Sequence, residues 1–241
     1  MSKEKRPGAR LSSALIFVRP GAVVADVGTD HAYLPIELIR HGIAVRAIAG
    51  DVNEGPLSRA TANIAAAGLA DRIIAVLTDG LRGMEQYDPD HILIFGMGGE
   101  LIVRILADAP WVRREGVRLI LQPMSRAEEL RRWLRTEGFD IVGEELSRED
   151  GRIYQTVCAE WSGVPTSVDE LDCLLGSYDR NGASPLYEEF VDRNLRVQEA
   201  ILRGRSGGKD ADTAPTRALI AALRRRKEEI ATSKQGFGGK V

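Results

Sequence analysis

The sequence is poor in cysteine, in long apolar runs and in the glycine and histidine patterns that announce common chemistries. Its two cysteines, Cys158 and Cys173, stand in no metal-ligand pattern. They imply a reducing compartment and argue against a zinc cage or a disulfide framework. No His and carboxylate cluster has ligand spacing, so no metal is expected. No run reaches the roughly 18 apolar residues that a membrane span needs, and no leader-like segment is present. A cytoplasmic protein without a membrane partner is therefore expected. The chain also lacks a Ser/His/Asp pattern of a hydrolase. Net charge is only −2, which does not advertise nucleic-acid binding. Local contrast is stronger. Residues 217–240 hold seven Lys/Arg and two Glu, and residues 111–135 hold seven Arg and three Glu. Each patch reads either as a solvated helix face or as a nucleic-acid contact.

What is present is an alternation of strands and helices. The 241 residues, 44% hydrophobic and 28% charged, suffice for one α/β domain with an appendage. Residues 22–35, AVVADVGTDHAYLP, organise the rest. A Val-rich run ends in an acidic residue, a glycine and a polar turn, and a helical pattern follows. This is how a buried parallel strand feeds a ligand-binding turn. A short helix over 10–18 precedes it, and residues 1–9 read as a frayed polar end. Further strands are expected at 44–50, 73–77, 91–95 and 117–121, with helices at 32–41, from Pro56 to Gly68, and at 100–108. Ser125-Arg-Ala-Glu128 reads as a capping box for the next helix. Residues 139–145 and 152–159 then form two strands joined by a turn at Glu149-Asp150-Gly151, with no helix between them.

Five parallel strands followed by an antiparallel hairpin give an α/β, Rossmann-like class I methyltransferase sheet by analogy of fold. After Ser162 strands disappear. Helices are expected at 168–175, 184–203 and 216–233, with a Gly/Ser/Asp connection at 204–215. The last two form an antiparallel pair, with Leu195, Ile201 and Leu202 facing Leu219, Ile220, Leu223 and Ile230. Either a monomer or a dimer through these helices fits the pattern.

In open parallel sheets, ligands bind beyond the carboxyl ends of the strands. Those ends carry Asp26-Val-Gly28, Asp51, Asp79-Gly80 and Gly96-Met97-Gly98-Gly99. Gly28 allows close backbone approach. Asp51 suits both ribose hydroxyls, and Asp79 an adenine amino group. Asp26 and Asp30 favour a cationic ligand end, such as the sulfonium or ammonium of S-adenosylmethionine. One such aspartate alone would pass as a helix cap or turn residue; their recurrence at successive strand ends would not. The turn Gly28-Thr-Asp30-His-Ala32 is not G-x-G-x-x-G, and an acid there would repel a pyrophosphate, which disfavours NAD. His31 reads as a ligand contact or a capping residue. Tyr33 reads as a stacking surface or as core beneath the first helix. His41 and His91 read as structural.

At these residues the chain resembles a family. DVGTDHAYLP (26–35), GDVNEGPLSRATANIAAAGL (50–69), TDGL (78–81), FGMGGELI (95–102) and LILQP (119–123) together resemble the bacterial tRNA (adenine-22-N1)-methyltransferases, the TrmK family. The likeness runs through nearly all of residues 10–160, and the helical pair resembles the family's coiled-coil appendage more weakly. The resemblance implies a methyltransferase domain over 1–162 that uses S-adenosyl-L-methionine, and a helical tRNA-binding appendage over 163–241. It implies methyl transfer to adenine N1 in the D-arm region of tRNA. By motif match, cofactor contacts are Asp26, Gly28, Asp30, His31, Asp51, Asp79, Gly80 and Gly96. The Gly96, Met97 and Gly98 loop would floor the reacting base, and Asp79 would accept its N6 proton only if the cofactor adenine does not already occupy that carboxylate. Tyr187, Arg193, Arg196, Arg203, Arg205, Arg217, Arg224, Arg225, Arg226 and Lys227 would contact tRNA phosphates, giving affinity rather than sequence choice. Two positions depart from the family. Asp51 stands where Glu is common, and Met124 where Asn usually follows LILQP. The GMGG loop, where many adenine N-methyltransferases carry Asn/Asp-Pro-Pro-Tyr/Phe, is shared with the family. The rival readings are a methyltransferase of another substrate, which would tolerate loss of 163–241, and an RNA-binding protein with a vestigial pocket, which would bind tRNA but no cofactor.

Overall fold

The structure is a computed structural model and describes residues 8–167, 169–205 and 213–237; of Ala9, Arg205 and 233–237 it describes the backbone alone. The polar N-terminal end, most of the 204–215 connection and the Gly-rich C-terminal end lie outside the described residues.

The chain divides between Ser167 and Val168 into two units. The first holds α1 (Ala9–Leu15), β1 (Ala22–Val27), α2 (Tyr33–Arg40), β2 (Ala44–Asp51), α3 (Glu54–Ala66), β3 (Ile73–Leu77), β4 (His91–Met97), α4 (Gly99–Ala107), β5 (Arg118–Pro123), α5 (Ala127–Thr136), β6 (Phe139–Glu149) and β7 (Arg152–Trp161). Its seven strands run in the order β3-β2-β1-β4-β5-β7-β6. β1 to β5 pair in parallel, and β7 pairs antiparallel with both β5 and β6. The expected fold class is what the chain adopts.

Period-two alternation explains why the central strands are apolar throughout. Val24, Leu93 and Ile120 join α1, α2 and α3 in one core cluster. Their neighbours Ala25, Val27, Ile92, Ile94, Leu119 and Leu121 join α4 and α5 in the other. Both faces of β1, β4 and β5 are thereby dry. The β6–β7 turn at Asp150-Gly151 has positive φ at both residues, the two-residue turn that matches strand twist.

Three local expectations shift. Helix α1 ends at Leu15 rather than Val18. Helix α3 starts at Glu54, with Pro56 inside the first turn, where no intrahelical donor is needed. The capping box at Ser125 does not form: Arg126 is the N-cap of α5, at φ 55 and with no side-chain cap bond. The reason is tertiary. The Gly99 amide donates to the Ser125 carbonyl at 2.7 Å, which holds that loop against α4.

The second unit is helical: α6 (Glu170–Leu175), α7 (Tyr178–Asn181), α8 (Tyr187–Arg205) and α9 (Ala214–Phe237). Asp169 caps α6 by accepting from the Leu171 amide at 2.8 Å. Ion pairs match Glu199 with Arg224 and Asp192 with Lys227, so α8 and α9 run in opposite directions. Tyr187, Phe190, Val191, Ile220, Leu223 and Ile230 are buried, whereas Ile201, expected in this seam, is exposed. The seam begins earlier on α8 than periodicity suggests, because Tyr187 carries its own partner, as described below.

Candidate active site

The carboxyl ends of β1 and β2 are tied together first. The amides of Gly28 and Thr29 both donate to the Gly50 carbonyl, at 2.8 and 3.0 Å. Gly28 sits at φ +76, and a Cβ there would come within 2.4 Å of the Met97 methyl. No larger residue suits that turn. Asp26 and Asp51 are both buried. The Thr29 hydroxyl donates to Asp26 at 2.6 Å, and the Asn53 amide donates to Asp51 Oδ1 at 2.8 Å. Burial pushes the Asp26 carboxyl up to about 6; the Thr29 bond pulls it back and the Asp51 charge pushes it up again. No cation pairs with either acid among the described residues. Two acids thus stand side by side at the ends of β1 and β2.

The turn that follows is held from α3. Arg59 reaches Asp30 at 2.6 Å, and the Asn63 amide donates to the His31 carbonyl at 3.0 Å. Asp30 and Ala32 both have positive φ, and these clamps hold that backbone in place. Arg59 and Asn63 escape a strand-end reading, although they stand four apart on one face of a helix inside the 50–69 stretch. His31 stacks on Tyr33 with ring centroids 5.0 Å apart. Tyr33 is 40% exposed, so it is a surface ring and not core. His41 ends α2, its Nδ1 2.9 Å from the Glu37 carbonyl. His91 is buried: its Nε2 accepts from the Arg19 amide at 3.2 Å, which leaves Nδ1 to donate to Asp90 at 2.8 Å. Burial lowers its pKa, so it stays neutral and structural.

At the β4 end, Gly96 has φ +79 and is exposed. The Met124 amide donates to the Met97 carbonyl at 2.8 Å, which zips the β4 and β5 loops together. A Cβ at Gly99 would lie 2.2 Å from the Arg126 carbonyl. The GMGG pattern is therefore a demand of close backbone approach. Asp79 and Gly80, beyond β3, line a cavity of about 640 Å³ with Leu101, Ile105, Arg104 and Trp111. Asp26, Gly28 and Asp51 stand outside its lining. The fold thus brings the β1, β2 and β4 residues together at one strand-end site and sets Asp79 at an adjoining cavity.

Known proteins share this fold. A family model described as a methyltransferase domain matches residues 8–157. A Bacillus subtilis tRNA (adenine(22)-N(1))-methyltransferase is 37% identical over 173 residues, covering 72% of this chain and 73% of the relative. The chain belongs to the tRNA (adenine(22)-N(1))-methyltransferase family. Among solved structures, the B. subtilis m1A22 tRNA methyltransferase is 29% identical, with a TM-score of 0.76 over 95% of this chain and 99% of that one. A Streptococcus pneumoniae protein, provisionally assigned as a tRNA (m1A22) methyltransferase and bound to S-adenosyl-L-methionine, is 35% identical. Its TM-score is 0.78 over 90% of this chain and 98% of that chain.

The basic residues of the helical unit divide into two groups. Arg224 pairs with Glu199 at 2.8 Å and Lys227 with Asp192 at 2.7 Å. Asp192 raises the Lys227 pKa. Arg226 donates to the buried Tyr187 hydroxyl at 2.8 Å and lies over the Tyr178 ring, so neither Tyr187 nor Arg226 faces outward as a phosphate contact. Arg217 reaches Thr213 at 3.3 Å. Arg193, Arg196, Arg203 and Arg225 are exposed and form no ion pair with a described residue. Arg203, Arg217, Arg224 and Arg225 share one groove of about 750 Å³ along α8 and α9. The Arg205 side chain lies outside the described residues.

Proposed function

We propose that the protein transfers a methyl group from S-adenosyl-L-methionine to N1 of adenine 22 in the D-arm region of tRNA. The supporting observation is the buried acidic pair Asp26 and Asp51 beside the Gly28 turn, in a chain 37% identical to a curated enzyme of that activity. The residues suit the cofactor. Asp26 faces the cationic end. Asp51 keeps acceptor capacity for the ribose diol, since a single amide occupies one of its oxygens. Gly28 admits the ligand closely, and Gly80 and Asp79 meet the adenine. His31 and Asp30 complete the wall, with Arg59 already on one Asp30 oxygen. When bound, the cofactor supplies an electrophilic methyl group.

The chain's own contribution is mainly position. Adenine N1 carries a lone pair at neutral pH, so attack needs no base. Holding the base in line over the Gly96–Gly98 backbone supplies proximity and orientation. The target base leaves its stack to reach that floor, at roughly a few kcal/mol. The sulfonium gives up its charge with the methyl group, and the methylated base carries it. Asp79 would take the N6 proton only where the cofactor adenine leaves that carboxylate free. Asp79→Asn tests this, because an amide still accepts an amino hydrogen bond but takes no proton. The 163–241 appendage grips tRNA phosphates through Arg193, Arg196, Arg203, Arg217 and Arg225, with Arg224 and Lys227 spending part of their charge on α8. We infer a cytoplasmic location from that substrate.

The test is methyl transfer from labelled S-adenosylmethionine to bacterial tRNA, with the modified nucleoside identified by mass spectrometry. N1-methyladenosine at position 22, abolished by Asp51→Ala, is expected. Cofactor binding without methylated tRNA would point to another substrate, and no cofactor binding would overturn the reading.

A further inference from the structure

One arginine at the strand-end site is held firmly at its backbone and weakly at its head. Arg10 lies on α1. Its amide donates to Glu149 at 2.9 Å, and its carbonyl accepts from the Ser13 hydroxyl at 2.7 Å and the Gln122 amide at 3.1 Å. Ser13 also bonds Thr156 at 2.7 Å, and Ser13, Gln122 and Thr156 are all buried. A buried polar network therefore fixes the Arg10 Cα against β5 and β7.

The guanidinium reaches across three strand ends. Its Nη1 is 3.9 Å from the Met124 sulfur beyond β5. Its Cζ lies 5.6 Å from the centroid of the Tyr154 ring on β7. A Cβ added at Gly96, on β4, would be 3.7 Å from Nη1. The Glu149 carboxylate is 4.0 Å from Nε. A thioether, a ring face and a long ion pair satisfy a five-donor guanidinium poorly. Other arginines of this unit are better served. Arg118 pairs closely with Glu160, and Arg131 reaches Glu144 at 2.7 Å. The Arg10 side chain is 26% exposed, beside the glycine floor over which the base must sit.

We propose that Arg10 anchors the phosphate of the target nucleotide, holding the extruded adenosine over Gly96–Gly98. The inference rests on the RNA-methylation reading. A planar guanidinium takes a phosphate bidentately, and its rigid backbone turns that bond into orientation. Met124, where the family usually has Asn, offers no competing charge, only a polarisable support for the cation.

The experiment compares wild type with Arg10→Met and Arg10→Lys on a tRNA substrate. Methionine keeps the apolar packing on Tyr154 and Met124 without the charge. Thermal unfolding and S-adenosylmethionine affinity, expected within twofold of wild type, show that each variant folds and holds cofactor. Arg10→Met is expected to lower kcat/KM for tRNA about ten- to hundredfold, the range for losing a charged hydrogen bond. Arg10→Lys should recover part of it. The decisive arm places a neutral methylphosphonate at either phosphate of the target nucleotide. At one of the two it should slow wild type about tenfold and leave Arg10→Met unchanged, since the partner is already gone. Arg10→Met within twofold of wild type, or an equal methylphosphonate effect in both proteins, overturns the proposal. A wild-type protein that methylates no RNA brings down the functional reading and this inference with it.

Discussion

Two clusters of buried charge lie toward opposite edges of one sheet, and they are built in opposite ways. Toward β6, Arg131 and Glu144 are 1% and 2% exposed and 2.7 Å apart, with Arg131 also donating to Gln155 at 2.8 Å. Toward β2, Asp26 and Asp51 are buried beside one another with hydroxyl and amide donors and no cation. The first cluster is satisfied by the fold. In the second, burial raises the Asp26 pKa to about 6, the Asp51 charge adding to it, so the charged form is disfavoured. A buried charge without its counter-ion marks where a ligand is expected; a buried pair marks where the chain has closed on itself.

The largest effect is expected at the closed pair. Glu144→Ala leaves Arg131 buried without its carboxylate and should destabilise by about 3–5 kcal/mol in urea unfolding. The double change Arg131→Met with Glu144→Leu should recover most of that loss. A single change worth less than about 1 kcal/mol would erase the contrast.

At the open pair the sign reverses. The folded Asp26 pKa, about 6, lies above its ordinary 3.8. The native state therefore holds the extra proton between those values, and stability falls as pH rises through that window. The penalty is full above about pH 6 and gone below about pH 4. Asp26→Asn should thus stabilise the unliganded protein by on the order of 2–3 kcal/mol at pH 7 and by almost nothing at pH 4. It should also lose S-adenosylmethionine binding. In the wild type, calorimetry should show that affinity weakening below pH 6, as Asp26 takes up its proton. Destabilisation by Asp26→Asn at pH 7 would show that the acid is already compensated.

The same distinction between paired and unpaired charge sorts the helical unit. Arg203→Ala with Arg225→Ala should reduce the salt slope of tRNA binding by about 1.5, as two phosphate contacts require. Arg224→Ala with Lys227→Ala should reduce it less, because those cations already meet Glu199 and Asp192. Equal slopes for the two pairs would make the ion pairs irrelevant to RNA contact.

The smallest effect is expected at helix α5. Ser125→Ala should change stability by less than about 0.5 kcal/mol, since Ser125 caps nothing. Asp169→Ala, which removes a working cap, should cost about 1 kcal/mol. A larger loss at Ser125 would restore the capping box in solution.

Much of the fold was legible because it is written in local periodicity. The strand Ile73–Leu77 and the turn at Asp150-Gly151 follow from β-branched runs and positive-φ residues alone. The strand-end aspartates and glycines were legible for a related reason. A parallel sheet must present the ends of its strands together, so their positions in sequence foretell their meeting in space. Arg10, Arg59 and Trp111 carried no such signal, because nothing in their neighbours says what they cross to.

The sequence by itself determined the order of elements, the buried centre of the sheet and the acidic strand ends, because each depends on neighbours within a few residues. Only the tertiary structure decided which charges found partners. Asp30 went to Arg59, Arg224 to Glu199 and Arg226 to Tyr187, while Asp26 was left with a hydroxyl and Arg10 with a thioether, a ring and a long ion pair to Glu149. Ion pairing turns on distances of a few ångströms between residues far apart in the chain, and those distances exist only once the core has packed.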